Sequence, residues 1–241
     1  MRPPILQLLT LLALFLAAST TYADNGKRTK TPNDLKAPSS LYLGGAMNIG
    51  FGTHLKHSTV NRSIIERNTT LRGVSGALVF ATLHGIKERF RLGGSFAYAG
   101  FQRYRMIDSG NNKRTFGQRL ILDFLMEGTV PIRPKLDLLV GGRVGMPILI
   151  PGGEFKEAID IARRQRYTTH GGPRFGLRIG LDLDVRYKLS EVFALRFGAG
   201  YVYNRAFLLR ARAESLTATG KLRQALDISE IRFGAGFEWL Y

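Results

Sequence analysis

The stretch PRFGLRIGLDLDVRYKL, residues 173–189, alternates apolar and polar side chains without a break. The apolar positions are Phe175, Leu177, Ile179, Leu181, Leu183, Val185 and Tyr187. The positions between them are Arg174, Gly176, Arg178, Gly180, Asp182, Asp184 and Arg186. Because successive side chains of a β-strand point to opposite faces, this stretch predicts a strand with one apolar face and one charged face.

The C-terminal residues repeat this pattern and end on an aromatic side chain. The apolar positions are Phe233, Ala235, Phe237, Trp239 and Tyr241, and the positions between them are Arg232, Gly234, Gly236, Glu238 and Leu240. A soluble sheet would pack such an apolar face against a core. A terminal aromatic strand is instead typical of β-barrels in an outer membrane, with the apolar face toward lipid.

Alternation of period two predicts eight strands in all. They lie near residues 41–53, 71–84, 89–101, 119–127, 136–144, 174–187, 193–203 and 232–241. Short links near 85–87, 132–134 and 189–191 alternate with longer links near 54–70, 103–114, 151–172 and 208–224. Short periplasmic turns alternating with longer external loops are typical of outer-membrane barrels. The sequence therefore predicts an all-β protein, an eight-stranded antiparallel transmembrane β-barrel that satisfies its own backbone hydrogen bonds.

The N-terminal residues predict export. Residues 5–18 are apolar, follow Arg2 and lead to small residues and Thr21-Tyr22-Ala23, which predicts a cleaved signal peptide at residues 1–23. That run is shorter than the roughly 20 residues of a membrane-spanning helix. Residues 24–39 are polar and contain proline, which predicts a flexible periplasmic tail, and residues 40–241 form the predicted barrel. The expected location is the bacterial outer membrane.

Composition excludes several kinds of site. The chain has no cysteine, so disulfides, thiolate nucleophiles and thiolate metal sites are excluded. The net charge of +17 would suit nucleic acid, but the basic residues are scattered and the chain carries an export signal. The expected anionic partners are therefore outer-membrane lipid and lipopolysaccharide, and not nucleic acid.

The polar faces of the predicted strands form a charged lumen. Eight strands enclose an interior that side chains fill, so a wide aqueous pore is not expected. The predicted lumen residues are Arg89, Arg91, Arg119, Arg143, Arg174, Arg178, Arg186, Arg196 and Arg232 with Asp123, Glu127, Asp137, Asp182, Asp184 and Glu238. Opposite charges shielded from water should form ion-pair networks, because an unpaired buried charge costs about 3–5 kcal/mol. The arginine excess would favour anions if solutes pass.

The third external loop contains a predicted helix. Residues 154–165 place Phe155, Ala158, Ile159 and Ala162 at helical spacing, and the helix would either cover the barrel mouth or lie at the lipid interface. The basic residues of the third and fourth loops are the predicted lipopolysaccharide contacts: Arg163, Arg164, Arg166, Arg210, Arg212, Lys221 and Arg223.

Residues 40–241 resemble the small eight-stranded outer-membrane barrels typified by OmpA and OmpX. The ending GFEWLY is similar to that family's terminal assembly signal, with Gly236, Phe237, Trp239 and Tyr241 in its positions, although Gly234 stands where a polar residue is usual. The resemblance implies insertion by the barrel-assembly machinery. We expect a monomer with a structural or surface-interaction role, and the alternative is a narrow or gated channel for small anionic solutes.

A lipid A-modifying enzyme is the less favoured alternative, because some small outer-membrane barrels have such activities. The chain has four histidines, and His54 with Glu66 or His57 with Ser58 are the candidate base and nucleophile pairs. Adjacent residues such as His57 and Ser58 point to opposite sides of a strand. No catalytic site, cofactor or metal site is therefore expected, although His54 and His57 are a candidate weak metal pair.

Overall fold

The computed structural model describes residues 37–60, 63–100, 103–106, 112–164, 167–213 and 220–241. The predicted signal peptide (1–23) and most of the predicted tail (24–39) lie outside these residues. Within the described ranges, no helix has both the length and the apolar character needed to cross a membrane.

Eight long antiparallel strands form a closed ring, which confirms the predicted fold. They are β1 (Ser40–Val60), β2 (Ser63–Lys87), β3 (Phe90–Ala99), β6 (Gly117–Arg133), β7 (Leu136–Pro151), β9 (Arg174–Lys188), β10 (Phe193–Ala213) and β11 (Gly220–Leu240). The ring order is β1-β11-β10-β9-β7-β6-β3-β2, and β2 pairs with β1 to close it. Closure gives each of these eight strands a paired neighbour on both sides.

Three short strands and one helix complete the described fold. They are β4 (Arg103–Met106), β5 (Asn112–Thr115), β8 (Tyr167–Thr168) and α1 (Gly153–Arg164). The predicted helix of the third loop is thus confirmed. Gly153 begins it with φ of 54°, a left-handed conformation that glycine adopts without strain. Glu154 in its first turn and Arg163 and Arg164 in its last turn complement the helix dipole.

The barrel has a turn end and a loop end. The turn end carries residues 88–89, 134–135 and 189–192, and the Ser40 to Leu240 pair of β1 and β11 also lies there. The predicted first turn at residues 85–87 was wrong, since β2 continues to Lys87. At the loop end, residues 54–70 are mostly strand, not loop, and β1 and β2 stay paired as far as Val60 and Ser63. The hydrogen bonds between strands join backbone groups and do not depend on apolar side chains, so β1 and β2 can continue through polar residues.

The interior contains charged and apolar regions. A cluster of small and apolar side chains lines the lumen along β1, β2, β3 and β6: Tyr42, Ala46, Val79, Ala81, Ala97 and Ile121. A second apolar cluster lies under α1 at the loop end: Leu71, Phe116, Leu149, Phe155, Ile159, Leu208, Leu226 and Ile228. Between and beside these clusters lie the buried charged residues.

Candidate functional site: a charged lumen under an apolar cap

Arg91 on β3 contacts residues of three other strands near the turn end. Its Nη1 donates to Glu238 Oε1 at 2.7 Å and to Ser40 Oγ at 3.0 Å. Its Nε donates to Glu127 Oε1 at 2.9 Å. The Arg91 side chain is fully buried. Its two carboxylate partners compensate its charge, whereas a lone buried cation would be strongly destabilising.

Asp137 and Arg186 form a second buried pair at the same level. Arg186 donates from Nε and Nη2 to Asp137 Oδ2 at 3.0 and 2.8 Å. Lys188 Nζ lies 3.0 Å from the same oxygen, and Arg186 Nη1 lies 3.7 Å from Glu238 Oε1. Glu238 contacts both Arg186 and Arg91, so it connects this pair to Arg91 and its partners.

Two aspartates at the middle of the lumen each accept hydrogen bonds from two arginines. Asp182 accepts from Arg143 Nε at 2.6 Å and from Arg232 Nη1 at 3.2 Å. Asp123 Oδ2 accepts from Arg143 and Arg178, both at 3.2 Å. Because Arg143 contacts both carboxylates, the middle of the network is continuous across strands β6, β7 and β9.

Arg196 links the middle of the network to the turn end. Its Nε donates to Asp184 Oδ2 at 2.8 Å, and its Nη2 lies 2.6 Å from Glu127 Oε2. The guanidinium also lies over the Tyr42 ring, 5.5 Å from the centroid, as in a cation–π contact. Glu127 therefore joins Arg196 to Arg91.

Glu230 is a lumen residue that sequence reasoning missed. Its carboxylate lies 2.7 Å from Arg119 Nη2 and 3.4 Å from Arg178 Nη1, and it accepts from Asn204 Nδ2 at 3.0 Å. The residue is 1% exposed. The predicted last strand began at Arg232, but continuing its alternation upstream by one period would have found Glu230.

The described lumen network contains equal numbers of arginines and carboxylates, and the partly exposed Lys188 at the turn end adds one further cation. Its seven arginines are Arg91, Arg119, Arg143, Arg178, Arg186, Arg196 and Arg232. Its seven carboxylates are Asp123, Glu127, Asp137, Asp182, Asp184, Glu230 and Glu238. The predicted excess of arginine is absent from this network, although the buried Arg174 lies in the interior outside it.

Two predicted lumen arginines lie outside this network. Arg89 is exposed in the turn between β2 and β3. It was predicted to lie in the lumen because the alternation was read one residue beyond the start of β3. Arg174 is buried nearer the loop end, and its Nη2 donates to the His170 carbonyl oxygen at 2.5 Å. Its described contacts are with His170 and not with a carboxylate.

Glycines make room for the lumen aspartates. Gly198, Gly200 and Gly145 lie directly across the ladder from Asp184, Asp182 and Asp123. A Cβ added at any of these glycines would overlap the Oδ1 atom of the aspartate opposite. These three glycines are therefore required by the size of the neighbouring carboxylates, not only by bending of the strands.

Helix α1 covers the loop end of the lumen with apolar side chains. Phe155, Ile159 and Ala162 are buried, and Phe155 packs beside Phe116 with ring centroids 6.2 Å apart. Ala158, which the sequence assigned to the same stripe, is exposed. The apolar cap consists of α1 and the cluster beneath it, and it separates the charge network from the loop end.

The histidines do not converge on a catalytic arrangement. His54 lies 3.2 Å from Gln224 Oε1, and its ring meets Phe116 edge to face at 5.8 Å. His57 Nδ1 lies 2.9 Å from Glu66 Oε1, so Glu66 pairs with His57 and not with His54. The side chain of Ser58 is outside the described part. Among described residues, no group of three or more histidines, aspartates or glutamates could hold a metal ion.

His84 and His170 lie at opposite ends of the barrel. His84 is exposed near the turn end. His170 Nε2 lies 2.6 Å from Arg174 Nη1, a contact that requires a neutral imidazole as the acceptor. Desolvation, followed by the charges of Arg174 and Arg163, lowers the pKa of His170.

The predicted lipopolysaccharide contacts are only partly described. Arg163 and Arg164 are exposed on α1, and Arg223 is exposed on β11. Arg210, Arg212 and Lys221 belong to β10 and β11, but their side chains are not described, and Arg166 lies outside the described residues.

The terminal strand presents its aromatic side chains outward. Phe237, Trp239 and Tyr241 are 55%, 58% and 50% exposed. Phe237 stacks on Phe193 of the adjacent strand, with centroids 5.6 Å apart. Gly236 lies against the backbone of β1, where a Cβ would overlap Gly44. The strand thus combines an aromatic outer face with close packing against its partner.

No protein-family model and no curated sequence matches the chain. Solved structures that it resembles include the outer membrane protein OprG from Pseudomonas aeruginosa, with 13% identity, 86% of this chain and 97% of that chain covered, and a TM-score of 0.48. AlkL, solved by solid-state NMR, has 12% identity, coverage of 90% and 96%, and a TM-score of 0.44. Neisserial surface protein A has 10% identity, coverage of 81% and 98%, and a TM-score of 0.36. The resemblance to small outer-membrane barrels is thereby confirmed as a likeness of fold, and it assigns no function.

Proposed function

We propose that the chain is an outer-membrane barrel with a closed lumen and a structural or surface-interaction role. The observation that carries this proposal is the balanced network of seven arginines and seven carboxylates. Paired groups fill the lumen section where a solute would have to pass, and the apolar cap covers its loop end. A solute would have to break several ion pairs and displace α1.

The outer surface supports a membrane location. Leu177, Ile179 and Leu181 on β9 are 64%, 58% and 71% exposed, whereas the alternate residues Arg178 and Asp182 are buried. A strand that rises about 3.3 Å per residue with a tilt of about 40° gains roughly 25 Å between Phe175 and Val185, the height of the apolar band of such barrels. Exposed apolar surface on this scale would be costly in water.

Aromatic residues and the connections support an orientation. Tyr187, Trp239 and Tyr241 are exposed near the turn end, where an aromatic girdle is expected at the membrane interface. We place this end in the periplasm because its connections are short, and the loop end outside. Arg163, Arg164 and Arg223 would then meet lipopolysaccharide phosphates, and the terminal aromatic strand would be read by the barrel-assembly machinery.

Single-channel recording tests the closed lumen. The folded protein, purified in detergent and checked by its heat-dependent gel mobility, is reconstituted in planar bilayers containing lipopolysaccharide. We expect no reproducible current steps. The Arg178→Ala variant removes a lumen cation that contacts Asp123 and Glu230, and Arg163→Ala removes an exposed arginine as the control. Steps in the wild type that change in Arg178→Ala but not in Arg163→Ala would favour the narrow-channel alternative.

Lipid analysis tests the enzyme alternative. Cells that overproduce the protein should have unchanged lipid A, because His54 and His57 contact Gln224 and Glu66 on opposite faces of β1. Modified lipid A that returns to normal with His54→Ala or His57→Ala would contradict the structural role.

A further inference from the structure

The barrel wall has a gap in its strand pairing near the loop end. Pairs between β9 and β10 run from Lys188 and Ala194 to Gly176 and Ala206. On this flank of β10, the next pair joins Arg212 to Thr168 of β8. The chain between Thr168 and Gly176 includes Pro173, which has no N–H group to donate to a ladder.

A cleft of about 880 Å³ is lined by residues on both sides of this gap and by residues of β11, β1 and β2. Its apolar lining includes Leu55, Phe175, Phe207, Leu208 and Ala225. A register shift between Phe207 and Leu209 leaves Leu208 as an extra residue on β10. Phe207 is 52% exposed, whereas Leu208 is fully buried, so these neighbouring apolar side chains lie on the two sides of the wall.

Most of the charged residues in the described lining are basic. They are Lys56, Arg174, Arg205 and Arg223, and among the described lining residues Glu66 alone is a carboxylate. Glu66 is paired with His57 at 2.9 Å, and Arg205 lies 3.5 Å from Asp227, which is not in the lining. Lys56, Arg174 and Arg223 form no ion pair with a carboxylate in the described part of the chain.

Arg174 supplies a specific polar group. It is 4% exposed, lines the cleft, and its buried Nε has no hydrogen-bond partner among the described residues. Buried polar N–H groups in proteins are nearly always hydrogen-bonded. An acceptor with negative charge would satisfy this group and offset the uncompensated cation.

We propose that this cleft binds a single-chain anionic amphiphile, a long-chain carboxylate, taken from the outer leaflet. The carboxylate lies at Arg174, Lys56 and Arg223 add positive charge elsewhere in the lining, and the acyl chain lies over Phe175 and Phe207. The volume falls in the range of about 300–1,000 Å³ that encloses one small ligand, whereas a multi-chain lipid would be too large. The inference rests on the proposed outer-membrane location, since that places the exposed aromatic residues of the cleft in lipid.

Binding of tritiated palmitate to the protein in phosphatidylcholine nanodiscs tests the proposal. We expect saturable binding of about one palmitate per barrel above empty nanodiscs, with at least tenfold weaker affinity in Arg174→Gln. Arg164→Gln, which changes an exposed arginine outside the cleft lining, is the matched control and should bind as the wild type does.

Competition separates the two parts of the ligand. Unlabelled palmitate should displace the label, whereas acetate and hexadecanol should not at equal concentration. Displacement by acetate would indicate a small-anion site, displacement by hexadecanol a purely apolar cleft, and either result would overturn the proposal, as would the absence of saturable binding. If Arg174→Gln does not fold, the Lys56→Gln/Arg223→Gln double variant takes its place, and it too should bind palmitate more weakly than the wild type.

The binding result and the conductance result are independent. A barrel that conducts but binds palmitate would contradict the closed lumen and leave the cleft in place. A silent barrel that does not bind palmitate would overturn the cleft proposal and support the closed lumen.

Discussion

Replacing Glu230 by glutamine should strongly destabilise the barrel, although the side chain keeps its size. The carboxylate is 1% exposed and contacts Arg119 at 2.7 Å and Arg178 at 3.4 Å. The substitution gives the network one uncompensated positive charge in a region with almost no solvent access. Breaking a buried pair in this way costs about 3–5 kcal/mol, and 3 kcal/mol is about a 150-fold change in the folding equilibrium.

Urea unfolding in lipid vesicles measures this cost. Trp239 is the only tryptophan of the chain, and it is 58% exposed on the outer face, so its fluorescence should change when the barrel leaves the membrane. Asp160→Asn is the matched control because Asp160 pairs with Arg163 at 3.9 Å with both side chains about half exposed. Its expected cost is below about 1 kcal/mol. Equal costs for Glu230→Gln and Asp160→Asn would show that the lumen is hydrated, and would refute the argument for a dry, closed network.

Three further predictions concern the glycines, the cap and His170. Gly198→Ala should lower the free energy of unfolding by about 2 kcal/mol, because the added Cβ displaces the Asp184 carboxylate from Arg196. Gly76→Ala is the control and should be near neutral, because a Cβ added there meets no atom within 4 Å. Equal effects of the two variants in urea unfolding would contradict this. Ile159→Ala truncates a buried side chain of the cap and should lower the free energy of unfolding by about 2–5 kcal/mol. Ile161→Ala, at a position 41% exposed on the same helix, should lower it less. The reverse order would mean that the other face of α1 points inward. Because the pKa of His170 is lowered in the folded protein, its contribution to stability is present above its ordinary value of about 6.5 and is lost as the pH falls through that value. The unfolding midpoint of the wild type should therefore fall more between pH 7.5 and 5 than that of His170→Gln, and identical falls would exclude this role.

The alternation of side chains was sufficient to predict the ring of strands, but not where each strand ends. Strands β1 and β2 continue through His57 and Glu66, where apolar alternation has stopped and backbone pairing has not. The same limit explains Arg89, which was counted into a strand although it lies in a turn. It also explains Glu230, which was left out of a strand that begins at Gly220.

The partners within the lumen could not be predicted because they depend on the stagger between strands. Arg91 on β3 meets Glu238 on β11, and these strands are not neighbours in the ring. Arg196 reaches Glu127 across the lumen in the same way. Periodicity predicts that such side chains point inward, and only closure of the barrel brings them together.

The charge balance weakens the case for the anion-channel alternative. An arginine excess in the lumen was the reason to consider an anion channel, and the seven arginines of the network are matched by seven carboxylates. With Lys188, which also contacts Asp137, the network contributes one positive charge to the net charge of +17, and the rest of the surplus lies elsewhere in the chain. Some of it lines the cleft that spans β9, β10, β11, β1 and β2, where the Arg174 Nε has no partner among the described residues. In the proposed orientation, attraction of anions is thus expected at the wall and the loop end, where lipid headgroups would lie, and not along the barrel axis.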